Sequence, residues 1–277
     1  TPNPDVLCNR EIKFGSFLKY AKRLGGDMIA TGHYARTVTE NGVTQLLKAK
    51  DLAKDQSYFL HAVSAEALAE TVFPLGELLK AEVRQLARDH ALTVHGKKDS
   101  TGICFIGERP FREFLSAYIP ANPGPIKTPE GRTVGEHHGL MYYTLGQRQG
   151  LGIGGLQGSA DEPWYVVAKE PSANVLVVVQ GEHPLRYHTG LEAIDASWIN
   201  GPPSGALSCA AKIRYRQGDQ ACKVRILSSG RLMVAFEEPQ TAVAPGQYVV
   251  FYRGDRCLGG AVIHRAISAE DAMLKTG

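Results

Sequence analysis

Near residue 120 the sequence changes the period at which it repeats, and that change limits the architectures open to it. Before this point apolar residues recur at helical spacing: Ile12, Phe17, Leu18, Ala21 and Leu24 follow Asn9, while Val83, Leu86, Ala87 and His90 share one face of Leu79 to His90. Asn9 is the predicted cap of the first helix and Gly25-Gly26 its stop. Asp27-Met28-Ile29-Ala30-Thr31 then reads as a short buried strand ending in Gly32-His33-Tyr34. Ser64 opens another helical stretch, and Phe111 to Ile119 reads as a further short helix. Strand alternating with helix is an α/β arrangement, in which ligands gather at the carboxyl ends of strands, so Gly32 and His33 are candidate rim positions.

Beyond Pro120-Ala121-Asn122-Pro123-Gly124-Pro125 the signals are those of strands and turns. Trp164 to Lys169 and Val175 to Gln180 form a hairpin around Ser172-Ala173-Asn174. After His183-Pro184 the predicted strands are Cys209 to Arg216, Ala221 to Leu227, Arg231 to Phe236, Tyr248 to Tyr252 and Cys257 to Ile263. Several short strands at regular spacing point to a small barrel or sandwich. The expected fold class is therefore α/β plus all-β, in three parts: 1–110, 111–184 and 185–277. There is no internal repeat and no low-complexity tract.

Composition narrows the class without naming a function. At 277 residues, 43% hydrophobic and 21% charged, the chain has the balance of a globular protein. A net charge of +3 is compatible with a polyanionic partner and too small to argue for one. No apolar run reaches membrane-spanning length and no leader pattern is present. Five cysteines in no dense framework favour free thiols in a reducing compartment, so the cytoplasm is the expected location. The chain opens on Thr1-Pro2-Asn3-Pro4, inside a loop motif, and the expectation is that a preceding segment exists.

Two cysteines stand in constrained settings: Cys8 in Asn3-Pro4-Asp5-Val6-Leu7-Cys8-Asn9, and Cys104 in Asp99-Ser100-Thr101-Gly102-Ile103-Cys104-Phe105-Ile106-Gly107. A thiolate is a strong nucleophile and a carrier of transferable sulfur. Asn3-Pro4-Asp5 favours a turn, and Cys8 directly precedes the predicted helix start, where the dipole stabilises a thiolate. Asp5 lies within reach as a proton acceptor or donor. Gly102 permits a tight backbone near Cys104, and Lys97-Lys98 adds positive potential. Buried, inert thiols are the alternative reading of both.

The same segments carry a resemblance. Asn3 to Asn9, Ala30-Thr31-Gly32-His33-Tyr34, Lys54-Asp55-Gln56-Ser57-Tyr58 and Ser100 to Gly107 resemble the bacterial tRNA-specific 2-thiouridylases, the MnmA/TrmU family. So do Gly139-Leu140-Met141-Tyr142-Tyr143-Thr144-Leu145-Gly146-Gln147-Arg148 and Arg214-Tyr215-Arg216-Gln217. The resemblance implies the remainder of an adenine-nucleotide α-hydrolase-like, Rossmann-like domain, a small central mostly-β tRNA-binding domain and a C-terminal β-barrel. It implies ATP-dependent thiolation of C2 of the wobble uridine in tRNAs for Lys, Glu and Gln, with Mg2+ beside the nucleotide. Cys104 would carry a persulfide loaded by a sulfur-relay partner. Cys8 would be the second thiol, leaving a Cys8–Cys104 disulfide for reductant to reset, and Asp5 the acid/base residue. Asn3, Pro4 and Asp5 would meet the extruded base. Gly32 would touch the nucleotide, and His33, Lys54, Asp55, Gln56, Arg214, Tyr215 and Gln247 the tRNA. The protein would act as a monomer off the membrane. Strand alternation adds an expected basic face of Lys212, Arg214 and Arg216.

Some features fall outside this pattern. The family's Ser-Gly-Gly-x-Asp-Ser-Ser nucleotide loop is absent from the sequence, so this chain alone is expected neither to bind ATP well nor to thiolate tRNA. Gly150-Leu151-Gly152-Ile153-Gly154-Gly155 fits a dinucleotide-loop pattern, yet no strand feeds it and it reads as loop. Cys209, Cys222 and Cys257 lack metal-ligand spacing and read as structural thiols, with no metal site expected. A non-catalytic tRNA-binding protein and a thiol–disulfide oxidoreductase stay open as other readings. The first leaves the cysteine settings unexplained and the second leaves the β region idle.

Overall fold

Helix formation starts earlier than the sequence pattern indicates. In the computed structural model, which describes residues 3–97, 118–153 and 162–269, α1 (Pro4–Leu7) has Pro4 in its first turn, and Asn3 Oδ1 accepts from the Asp5 amide at 3.0 Å. That is an Asx cap followed by a proline whose missing N–H costs nothing. The helix continues without a break through a π-helical stretch (Cys8–Phe17) into α2 (Leu18–Arg23). Asn9 is therefore not the cap, and Cys8 lies one turn inside the helix rather than before it. The wider π turns also shift which residues face inward. Phe14 and Leu18 are buried, whereas the expected Ile12, Phe17 and Leu24 are exposed. Gly25, at φ 88°, ends the helix as anticipated.

The chain folds into two compact units. The first comprises Thr1–Glu108, Glu192–Ala235 and Gly246–His264. Its α/β character rests on β1 (Ile29–Ala30), which pairs in parallel with β4 (Thr71–Val72). Between them lie a hairpin, β2 (Ala35–Glu40) and β3 (Val43–Lys48), and two short helices, α3 (Ser57–Leu60) and α4 (Ala65–Ala69). The hairpin turns on Asn41 and Gly42, both at positive φ, a type I′ signal the strand reading passed over. Ser64 caps α4 as expected, its Oγ accepting from the Ala67 amide at 3.3 Å. The α5 helix (Lys80–Asp89) buries none of its residues among the described part of the chain. The predicted Phe111–Ile119 helix lies largely outside the described residues.

The C-terminal strands close into a barrel. Strands β9 (Tyr187–Trp198), β10 (Leu207–Lys212), β11 (Gln220–Ile226), β12 (Leu232–Thr241), β13 (Tyr248–Arg253) and β14 (Arg256–Ile267) run in the order β13-β10-β11-β12-β9-β14, and β14 pairs back onto β13. Closure removes the open edges that would otherwise invite aggregation. The hairpin extends the sheet from β14, through Arg256↔Leu47 and Cys257↔Leu46. One correction concerns β10, which stops at Lys212. Arg214 and Arg216 sit in a turn, closed by the Ile213 amide donating to Gln217 Oε1 at 2.8 Å, so the expected basic strand face does not form. Lys212 is instead 9% exposed. With Lys48 it straddles Asp219, at 3.7 and 2.6 Å, and both ammonium groups lie over the Tyr252 ring.

A second sheet, β6 (Thr133–His137), β5 (Gly124–Lys127), β8 (Val175–Gln180) and β7 (Trp164–Glu170) in that order, belongs to the other unit, formed by Arg109–Leu191, Phe236–Pro245 and Arg265–Gly277. Its hairpin β7–β8 is the one predicted, with Asn174 at φ 52° in the turn. Leu151 of the glycine-rich segment packs with Ile126 and Leu176, and no strand leads into that segment among the described residues. The fold class is thus as expected: an α/β part, a central strand-rich part and a barrel. No described helix is long and apolar enough to cross a membrane.

In the first unit Tyr58, Leu60, Leu46 and Tyr252 are almost wholly enclosed. Each such side chain contributes roughly 1.5–3 kcal/mol of burial energy. His61 is enclosed with them, its Nδ1 2.7 Å from the Tyr58 carbonyl and its ring against Tyr248. A Cβ on Gly260 would stand 2.5 Å from the His61 ring and 2.7 Å from the Val249 carbonyl, so that position has room only for glycine. Burial pushes the His61 pKa down to about 4, against the pull of the Tyr58 carbonyl and with help from the Arg10 charge. The folded state therefore refuses a proton that the unfolded chain takes up below about pH 6.5. Stability is full above that pH and is lost as pH falls toward 4, by about 3 kcal/mol at the lower end. Urea titrations at pH 7 and pH 4.5 should show this loss, and His61→Gln should flatten it. An unchanged difference in the variant would remove His61 from the explanation.

Candidate active site

Five stretches that are far apart in sequence meet in the first unit. The helix bearing Asp5 and Cys8 is fixed to α3 by Asn9, whose Nδ2 donates to the Phe59 carbonyl at 3.2 Å. Asn9 is 2% exposed, and its Oδ1 has no hydrogen-bond partner among the described residues. Phe59 in turn carries the ring of Tyr215 at 4.4 Å, and the Tyr215 hydroxyl reaches the Lys54 carbonyl at 3.5 Å. Gln56 clasps Tyr34: the Gln56 amide donates to the Tyr34 carbonyl at 2.8 Å, and the Tyr34 amide to Gln56 Oε1 at 2.9 Å. Tyr248, next to Gln247, accepts from the Tyr58 hydroxyl through its carbonyl at 3.0 Å. Of the bridging residues, the sequence offers Asn9 only as a helix cap, Tyr58 only as part of a motif, and gives Phe59 no role. Only their spatial partners reveal them.

Individual residues differ in what they offer. Asn3 and Asp5 are half-buried, Pro4 is exposed and Cys8 is 8% exposed. Gly32 is exposed just past the carboxyl end of β1, and a Cβ there would meet nothing nearer than Leu75 Cδ1 at 4.0 Å. A flat backbone at a parallel strand end is the kind of surface a nucleotide approaches, so this position fits the nucleotide-contact role implied for it. His33 sits beside it, Nδ1 2.7 Å from Thr31 Oγ1 and its ring near Phe14. Burial, and then the charge of Lys13, hold the His33 pKa at about 4, so it offers a neutral imidazole at physiological pH. Lys54 is half-buried and Arg214 exposed, while Gln247 is half-buried and its carbonyl accepts from the Ile263 amide at 2.7 Å.

Asp55 is different in kind. It is 5% exposed, and its carboxylate accepts from the Ala49 amide at 3.0 Å, the Ser57 amide at 3.2 Å and the Ser57 hydroxyl at 2.8 Å. Its charge is spent on holding the loop that presents Lys54 and Gln56. Cys104, with Gly102 and Lys98, lies outside the described residues. Among the described residues no group of three His, Cys, Asp or Glu side chains is arranged to hold a metal ion.

Three family profiles match successive stretches of the chain. Residues 1–108 match the profile described as tRNA methyl transferase HUP domain, 112–180 the tRNA methyl transferase PRC-barrel domain and 188–263 the aminomethyltransferase beta-barrel domain. The tRNA-specific 2-thiouridylase MnmA of Methylococcus capsulatus is 57% identical over 274 residues, which is 98% of this chain and 74% of that protein. The protein of the same name from Chromohalobacter salexigens is 59% identical over 95% of this chain and 69% of its own length. That from Dichelobacter nodosus is 58% identical over 95% and 70%. These matches cover 95–98% of the chain, and so span the α/β part, the central sheet and the barrel. The chain belongs to the family of tRNA-specific 2-thiouridylases, MnmA.

Proposed function

We propose that this protein is a tRNA-uridine 2-sulfurtransferase that replaces the C2 oxygen of the wobble uridine in tRNAs for Lys, Glu and Gln by sulfur. The reading rests on one observation above all: relatives of 57–59% identity carry the name of that activity. The gathering of Asn3 to Cys8, Gly32-His33, Lys54 to Gln56 and Tyr215 in one neighbourhood supports it.

In this reading the extruded uracil meets Asn3, Pro4 and Asp5, and Asp5 moves the proton. ATP, with Mg2+, supplies activation when bound against Gly32, since adenylation turns the uracil O2 into a leaving group. The terminal sulfur of a Cys104 persulfide, loaded by a donor protein, forms a bond to C2 as that oxygen departs. The Cys8 thiolate then attacks Cys104 Sγ and breaks the S–S bond. Sulfur stays on the base, a Cys8–Cys104 disulfide forms, and a two-electron reductant restores both thiols. Arg214, Tyr215, Gln247, His33 and Lys54 hold the RNA; Asp55 and Gln56 act by fixing the loop. The division at 1–110, 111–184 and 185–277, a monomeric state and a cytoplasmic location belong to the same reading.

Deleting the gene tests the assignment. Nucleoside mass spectrometry of tRNA from the deletion strain should show wobble 2-thiouridine gone from the Lys, Glu and Gln acceptors and restored by the intact gene. Undiminished 2-thiouridine in that strain would refute it.

A further inference from the structure

Two cysteines outside the site described above stand directly across a hairpin. In the register of β10 against β11, Cys209 is paired with Cys222, and their sulfurs are 3.7 Å apart although the residues are 13 positions apart in sequence. Both belong to the first unit, so the pair is fixed by one sheet. Their surroundings are unequal. Cys222 is buried, whereas Cys209 is partly exposed and lies near the guanidinium of Arg253. The Cys222 contact lowers the Cys209 pKa first, with burial opposing and Arg253 assisting. By contrast Cys257 is fully enclosed and burial pushes its pKa up to about 12, an inert thiol.

We propose that Cys209 and Cys222 form a redox-active dithiol, with Cys209 as the attacking and Cys222 as the resolving thiol, whose disulfide staples the hairpin that presents Arg214 and Tyr215. The oxidant is a small-molecule disulfide such as glutathione disulfide. The Cys209 thiolate attacks one of its sulfurs, forming a mixed disulfide and releasing one small thiol. Cys222 then loses its proton and attacks Cys209 Sγ, releasing the second small thiol. The protein gives up two electrons and the small disulfide takes them. Closing the contact to a bond needs a movement on the order of 1–2 Å at one ladder position. The link lies two ladder positions in from the end of the hairpin, below Ala210↔Ala221 and Ala211↔Gln220. It adds a covalent closure to a turn that Asp219 ties to Lys48 and Tyr215 ties to Lys54, so it restricts 213–219 further.

The test treats the native chain with glutathione disulfide, alkylates the remaining thiols and maps peptides by mass. The expected product is a Cys209–Cys222 linked peptide in most molecules, with Cys257 left alkylatable only after denaturation. Cys209→Ser should abolish the link, and Cys222→Ser should stop at a glutathione adduct on Cys209. Links involving Cys8 or Cys104 differ in mass and are read separately. In the oxidised protein, amide exchange across 213–219 should slow about tenfold or more, and Tm should rise by roughly 5 °C. Modification that begins at Cys222 would overturn the assigned roles. No link in native protein would overturn the dithiol, and a link without slower exchange would overturn the staple. The wild-type time course carries the result even where a serine variant folds poorly.

Discussion

Replacing Cys104 by Ser in the cell's own gene abolishes wobble 2-thiouridine, a loss of at least about 10³-fold, while tRNA affinity stays within about twofold. Serine cannot carry a persulfide, so sulfur never reaches C2; the groups read as RNA contacts do not include the thiol. Cys8→Ser gives a different failure. The persulfide still forms and still attacks, but the S–S bond that should be broken by Cys8 persists, so product stays tethered to Cys104. Added dithiothreitol should then release thiolated tRNA from the Cys8→Ser protein and do nothing for Cys104→Ser. The substitution at Cys8 is nearly isosteric, which matters because that residue is 8% exposed in a packed helix. Intact thiolation in the Cys104→Ser strain would end the persulfide role. Equal rescue of both variants by thiol would end the division of labour between them.

The order of elements was readable where local chemistry determines it. Ser64 and Gly25 delimit helices because a hydroxyl cap and a left-handed stop are short-range devices. The Asn41-Gly42 turn carried an equally local signal and was missed only because β2 and β3 are not strongly apolar. What sequence could not supply was phase and register. A π-helical stretch alters which residues face inward without changing composition, so Ile12 and Phe17 were misplaced. Extending β10 to Arg216 pairs Arg216 with Ala221 and sets Cys209 against Ser228, which conceals its contact with Cys222. The real turn closes earlier, because Gln217 takes the Ile213 amide with its side chain. The candidate site shows the same division. Its residues were named through motifs, since thiol chemistry and RNA contact demand particular side chains. Their meeting depends on Asn9 and Phe59, ordinary residues whose importance exists only in three dimensions.

Asp55 and Lys54 make the sharpest separation between holding the fold and touching the RNA. Asp55→Ala removes three acceptor contacts at once and leaves the Ala49 and Ser57 amides and the Ser57 hydroxyl buried without that partner. The loss should be about 3–4 kcal/mol of stability, visible as a lower urea midpoint with an unchanged slope. Asp55→Asn keeps the amide contacts through its carbonyl oxygen. It forces the Ser57 hydroxyl to accept rather than donate, with its proton redirected to Tyr252 Oη at 3.3 Å, and should cost about 1–2 kcal/mol. Lys54→Ala should behave in the opposite way. Stability stays within about 0.5 kcal/mol, while tRNA affinity falls and the salt dependence of binding loses about one counterion. Comparing the two variants in urea melts and in tRNA titrations over a salt series decides the matter. If Asp55→Ala kept the wild-type midpoint and weakened tRNA binding with the salt signature expected of Lys54→Ala, the loop-holding role would fail and a direct RNA contact would take its place.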